Sequence, residues 1–474
     1  MLLTYVQILP SGAPPAAGLV LAPFRGLRYA QDRVSGLAEV TSPPYDVIAH
    51  DAEDHLLASD PHNIVRLILP RHIARNLGTA RNPRTAGNGA AEPPGAAEPP
   101  GAVEPGAAAP AAAYADAARL LHDWQDDGIL VPDPLPALYV YEQSLPGGPV
   151  LQRGLIGALR LAPLGAGPVL PHEDVIPGPV AGRRRLMEAT GANLEPIFLL
   201  YHGSGPGAAT ARLIDRAISR EALVSIHTDD GIWHRLWAVT DPAEQAEIAA
   251  DLGSHQALIA DGHHRYAAYL QLQARKRKAG AGPGPWDAGL ALLVDSTEFP
   301  PRIGAIHRLV PGLRPAAAAQ LAERAFTVRA LPGATQQTAV AALREASERH
   351  TAFLVAGGQE FYLLTDPDPE AVREAMPTRS DRWRALSAAV MQELLLGRLW
   401  HVKDDDQHVE IHHDAGEALR AAACSPDVTA VICPPIAADV VRDVAAHGEK
   451  VPRKSTSFAP KPRTGLVLRS FALG

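Results

Sequence analysis

Cysteine is nearly absent: Cys424 and Cys433 are the only two in 474 residues. Two thiols cannot staple a chain of this size, so a disulfide scaffold is excluded and both are read as reduced. No apolar run reaches the roughly 18 residues that a membrane-spanning helix needs, so no membrane partner is expected. Positive charge is short as well, with a net charge of −8. A chain that neutralises many phosphates on DNA or RNA carries a basic face. The one dense basic run, Arg275-Lys276-Arg277-Lys278, reads as the solvated end of a helix. No nucleic-acid partner is expected. Lysine itself is rare, six in all and none before Lys276, so a lysine inside a motif is informative. The first residues, MLLTYVQILPSGAPP, have no basic segment ahead of an apolar one, which argues against a secretory signal and for a cytoplasmic protein.

Several chemistries lack their signatures. No Gly-x-Ser-x-Gly elbow supports a serine nucleophile. His172-Glu173 is followed by Asp-Val-Ile, so the zinc motif HExxH is missing, and Lys454-Ser455-Thr456 is not preceded by the glycine pattern of a P-loop.

What remains is ordinary globular composition, 46% hydrophobic and 20% charged. The length suggests a few domains at about 150 residues each. Residues 1–78 read as the N-terminal part of an α/β body. Residues 79–113, with the repeated AAEPPG unit, form a low-complexity block that cannot bury a core. Residues 114–300 read as a central α/β region and 301–474 as a C-terminal α/β region. Strands are expected at Leu19–Phe24, Asn63–Pro70, Pro136–Gln143, Leu151–Pro163, Ala257–Ala260, Gly289–Thr297 and Val428–Cys433. Asp230-Gly231 marks a hairpin. Helices are expected over Tyr114–Leu130, from about Pro242, and after Asp261. The fold class is mixed α/β or α+β without a regular βαβ period.

The sharpest local signal is Asp261-Gly262-His263-His264-Arg265. An apolar strand enters it and an amphipathic helix leaves it. Asp261 is placed to cap the helix, and Gly262 permits a tight turn. The helix N-terminus offers free N–H groups and a positive dipole end, which favour an anion. His263, His264 and Arg265 add phosphate donors.

This run resembles the signature of a bacterial and archaeal family, the domain of unknown function 1015 (DUF1015). The resemblance extends through Pro23–Tyr29, Ser42–Ile48, the His172-Glu173 pair, Arg184–Tyr201 and Val451–Val467. The strand–DGHHR–helix unit is also similar to the nucleotide-binding corner of the ParB/sulfiredoxin-like fold, in which free serine kinases carry a comparable run. This resemblance implies a nucleotide-binding unit embedded in a larger mixed-sheet protein. It implies phosphoryl transfer from ATP, or from ADP or pyrophosphate, with Mg²⁺, to a small-molecule hydroxyl such as that of L-serine. Gly262, His263, His264 and Arg265 would hold the donor phosphates, joined by Lys454, Ser455 and Thr456. Asp261, Glu173 and His264 would be catalytic, with Asp261 also a metal ligand. Arg184, Asp46 and Asn193 would meet the substrate. The alternatives are a ParB-like nucleotide-binding regulatory module without transfer, and a nucleotide hydrolase.

Overall fold

The computed structural model describes residues 18–48, 50–70, 111–165, 167–405 and 407–474. Up to residue 110 the expected low-complexity block lies outside them. Residues 111–113 already belong to a helix, Ala111–Asp126. The chain divides into two compact units, 1–169 with 175–300 and 460–474, and 170–174 with 301–459.

The first unit is built on a large mixed sheet. Its strands are β1 (Leu21–Ala22), β2 (Leu138–Ser144), β3 (Val150–Arg160), β4 (Ile197–Tyr201), β5 (Val224–His227), β6 (Trp233–Val239), β7 (Ala257–Asp261) and β8 (Ala288–Asp295). They run in the order β7–β4–β8–β3–β2–β6–β5, with β1 on β3. The β4–β8 pair is parallel, and the other registered pairs are antiparallel. β4 and β7 are buried along their whole length and read as continuous apolar runs, as strands covered on both faces do. The helices His263–Lys278 and Pro177–Thr190 pack against each other, and the former lies on β4 and β8. Val180, Met187, Tyr266, Ala268, Tyr269 and Leu272 join the sheet's core.

The hairpin expected at Asp230-Gly231 forms, and a second one joins β2 and β3. β2 pairs with β3, and β5 pairs with β6 across a turn in which Gly231 has φ +76. The expected strand over Asn63–Pro70 does not. The run is buried, but Val65–Ile68 is one helical turn. Asn63 decides this locally: its Oδ1 accepts from Val65 N at 2.9 Å, and its Nδ2 donates to Glu39 O at 2.6 Å. A short apolar run carries no period that separates strand from buried helix.

Residues 460–474 are stitched into the first unit by backbone pairs. Ser42 and Thr464 exchange two hydrogen bonds, Leu27 pairs with Leu468, and Ala192–Asn193 pairs with Arg469–Ser470.

The second unit has its own antiparallel sheet: β9 (His307–Pro311), β10 (Thr327–Ala330), β11 (Ala352–Gly357), β12 (Glu360–Thr365), β13 (Glu410–His412) and β14 (Val428–Ile432). The order is β10–β12–β11–β14–β9–β13. Leu343, Leu354, Leu363, Leu419 and Ile432 form its core.

Candidate functional site

The Asp261–Arg265 run lies where β7 ends and its helix begins. The register of β7 on β4 steps from Ile259–Leu199 to Asp261–Phe198, so the strand carries a bulge just before Asp261. A bulge re-aims the side chains that follow it. Gly262, not Asp261, takes the N-cap position, with φ +94, a left-handed conformation that glycine adopts readily. Asp261 therefore does not cap the helix. Its carboxylate turns instead to two cations: Oδ1 lies 2.6 Å from Lys461 Nζ, and Oδ2 accepts from Arg265.

Lys461 also reaches Asp46 Oδ2 at 2.9 Å, so one ammonium bridges two carboxylates. The Ser42–Thr464 bridge explains the meeting, because Asp46 and Lys461 stand a few residues from a fixed antiparallel pair. Arg265 is buried and donates to Pro196 O at 2.6 Å. Its guanidinium also faces the Tyr45 ring at 5.8 Å, and Arg183 stacks closer on the same ring, at 4.0 Å. Glu195, likewise buried, accepts from Tyr45 N at 3.0 Å and lies 3.6 Å from Arg183.

Asp46, Asp261 and Glu195 thus face Lys461, Arg265 and Arg183. Burial, then the Asp46 charge, pushes the Asp261 carboxyl above its ordinary range, against the pull of Lys461 and Arg265. Burial raises Glu195 as well, opposed by Arg265 and Arg183. Burial alone would lower the pKa of Lys461 and of Arg265. The neighbouring carboxylates outweigh it and hold both above their usual values. The cluster is a paired lattice of charge, and within it Arg265 Nε has no hydrogen-bond partner among the described residues.

His263 is buried, while His264 accepts from Ile176 N at 3.0 Å through Nε2. That contact ties the start of one helix to the N-terminal neighbour of the other, and its ring nitrogen carries no proton there.

Two further expected residues of the first unit, Arg184 and Asn193, have partners outside this cluster. Arg184 pairs along its helix with Glu188 at 2.5 Å, and Glu188 also holds Arg275. Asn193 Oδ1 accepts from Leu290 N at 3.2 Å and from Arg469 at 3.1 Å. Glu173, Lys454, Ser455 and Thr456 belong to the second unit. There Ser455 donates to Pro452 O at 2.7 Å, Thr456 meets His172 Nε2 at 3.0 Å, and Lys454 has φ +52.

A Mg²⁺ ion does not fit Asp261 in this arrangement, because each carboxylate oxygen already holds a cation. Among the described residues no group of three or more His, Cys, Asp or Glu is arranged to hold a metal. Among them no helix is long and apolar enough to cross a membrane. Neither Lys461 nor Glu195 was expected beside Asp261. The readable signal was a rare lysine set between Pro460 and Pro462.

The family described as "Protein of unknown function (DUF1015)" matches residues 21–86 and 98–393, and the chain belongs to this family. No curated protein matches it. Among solved structures the chain is similar to SbnI with C-terminal truncation from Staphylococcus aureus, at 12% identity and TM-score 0.34, covering 67% of this chain and 88% of that one. It is similar to a free serine kinase in complex with AMP, at 14% identity and TM-score 0.32, covering 65% and 90%. A conserved hypothetical protein from Pyrococcus furiosus gives 14% identity and TM-score 0.32, covering 65% and 94%.

Proposed function

We propose that the first unit of this DUF1015 protein binds a nucleotide or another phosphoryl donor at the N-terminus of the His263–Lys278 helix. It then transfers the phosphoryl group to a small hydroxyl compound, L-serine being the first to test. The observation that carries this reading is the Asp261–Lys461–Asp46 bridge, with Arg265 beside it, at the foot of that N-terminus. Phosphoryl transfer asks for positioning and charge stabilisation more than for covalent chemistry by the protein. The helix N–H groups and dipole favour the donor's phosphates. Lys461 and Arg265 supply fixed positive charge whose own carboxylates keep it in place.

Asp46 is the better candidate to receive the hydroxyl proton. Its side chain is 27% exposed against 9% for Asp261, and Lys461 and Arg265 already engage both Asp261 oxygens. His264 is held at the rim of the same corner, where it is placed to orient a phosphate. Mg²⁺ would arrive on the donor's phosphates, and no step is assigned to it. The reading is confined to the first unit and treats the protein as cytoplasmic, without nucleic-acid or membrane partners. A second reading, a nucleotide-binding module without transfer, is favoured by one specific feature, the complete pairing of Asp261.

Phosphorus NMR separates them. Purified protein is mixed with L-serine and with ATP, ADP or pyrophosphate in turn, with and without Mg²⁺. A phosphomonoester signal that requires serine is the expected result. Release of inorganic phosphate alone would indicate a hydrolase, and binding without donor consumption would leave the regulatory module.

A further inference from the structure

Buried amides are uncommon in the middle of a sheet, because each must find hydrogen-bond partners to replace the water it loses. β2 and β3 carry two, Gln143 and Gln152, and they stand directly opposite each other in the ladder. Their exposures are 1% and 4%. Gln152 Nε2 donates to Gln143 Oε1 at 2.5 Å and to Pro460 O at 2.9 Å. Gln143 Nε2 donates to Lys461 O at 3.1 Å. Two residues before Gln143, Tyr141 accepts from Arg463 N at 3.2 Å and is itself in contact with His234 Nδ1 at 2.7 Å. Farther along, Arg463 donates to Thr41 Oγ1 at 2.7 Å.

The partner segment explains why side chains do this work. Pro460 and Pro462 have no N–H, so Pro460-Lys461-Pro462 cannot join the sheet as a strand. Its carbonyls still need donors. The two amides provide them, one to the residue before the Lys461 side chain and one to Lys461 itself.

We propose that Gln143 and Gln152 are positioning residues for Lys461: they seat the Pro460–Pro462 segment so that the ammonium lands between Asp46 and Asp261. The inference deepens the phosphoryl-transfer reading in so far as that reading uses Lys461. The geometry of the seat itself does not depend on turnover.

The test reads Lys461 directly. The full-length protein is acetylated with a limiting amine-reactive ester across a range of pH, and each of the six lysines is followed by peptide mass spectrometry. In the native protein Lys461 is expected to be the slowest to react, held charged by its two carboxylates. In Gln143→Leu/Gln152→Leu the carbonyls lose their donors and the ammonium loses its register. Lys461 labelling should rise by about tenfold, the change that one unit of pKa gives. Its pH profile should move to lower pH, while Lys276, Lys278, Lys403, Lys450 and Lys454 keep their native rates. General destabilisation would raise several lysines together and leave the Lys461 profile in place. Unchanged Lys461 labelling in a folded double variant overturns the proposal. If that variant does not fold, Gln143→Met alone, which leaves Gln152 its bond to Pro460, is read by the same criterion. Loss of Lys461 protection in a protein whose native form consumes no phosphoryl donor would keep this inference and discard the transfer reading. Turnover in the native protein with Lys461 labelling unmoved would do the reverse.

Discussion

Lys461 Nζ lies 2.6 Å from Asp261 Oδ1, and the other Asp261 oxygen belongs to Arg265. Removing the charge of Asp261 therefore takes a carboxylate from two cations at once, leaving Lys461 with Asp46 and buried Arg265 without its side-chain ion pair. Asp261→Asn keeps the shape and deletes the charge. Breaking a buried ion pair from one side costs about 3–5 kcal/mol. The expected outcome is a loss of that size in denaturant unfolding of the first unit, together with loss of phosphoryl transfer. Asp46→Asn acts on the more exposed end of the same bridge and should cost less, about 1 kcal/mol. Equal stability losses for the two variants would mean that Asp261 is not the centre of the lattice.

His234 offers a pH prediction. It is buried between Tyr141 and Thr228, at 2.7 Å and 3.1 Å. Burial, then the Arg463 charge, lowers its pKa to about 3. In the unfolded chain histidine titrates near 6.5, at about the free value. Between these values the unfolded chain holds a proton that the folded chain refuses, so stability falls as pH drops. The slope from this residue is about 1.4 kcal/mol per pH unit. Urea unfolding of native protein and of His234→Gln at pH 5 and pH 7 checks it. The native protein should lose more stability between the two pH values than the variant. Parallel losses would show that His234 is protonated without penalty.

Gly262 and Gly205 form a natural control pair. Both have left-handed backbone, at φ +94 and φ +93. A Cβ on Gly205 would meet none of the described residues within 4 Å, whereas one on Gly262 would lie 3.0 Å from Ile197 Cγ2 and 3.1 Å from Arg265 Nε. Gly205→Ala should cost only the left-handed term, about 1–2 kcal/mol. Gly262→Ala should cost more, because the Arg265 guanidinium has to move away from Asp261. Thermal unfolding of the two variants measures the difference. Equal costs would mean that Arg265 moves freely.

Much of the first unit was legible because its signals are local. Apolar, β-branched and aromatic runs mark β2 and β3, Asp230-Gly231 turns the β5–β6 chain, and the apolar run of β7 ends at a glycine. The Val65–Ile68 turn was not legible, since a side chain from Asn63 chose between two buried conformations. The Asp46–Lys461–Asp261 bridge was half legible. The residue types were visible, but their meeting depends on the Ser42–Thr464 pair and on the amides of β2 and β3, which no local pattern announces. Asn193 and Arg469 were opaque for the same reason.

The three-arginine run Arg183-Arg184-Arg185 supplies the last prediction. Neighbours on a helix point about 100° apart, so at most part of such a run can face one site. Glu188, one turn beyond Arg184, marks Arg184 as the member paired along the surface, and the two lie 2.5 Å apart. Arg183 turns the other way. It donates to Ile68 O at 2.8 Å, stacks on Tyr45 and lies 3.6 Å from buried Glu195. Arg184→Ala should therefore change stability by about 0.5 kcal/mol or less. Arg183→Ala should cost about 2 kcal/mol, the price of a hydrogen bond to a charged partner. It also leaves Glu195 with weaker opposition to its burial, so the Glu195 carboxyl should rise further above its ordinary range. A raised carboxyl favours the folded state only while protonated, so stability is lost as pH climbs through its folded pKa. The Arg183→Ala penalty should accordingly be smaller at pH 5 than at pH 8, measured by urea unfolding. A penalty independent of pH would place the contribution of Arg183 in its stack on Tyr45 rather than in its charge.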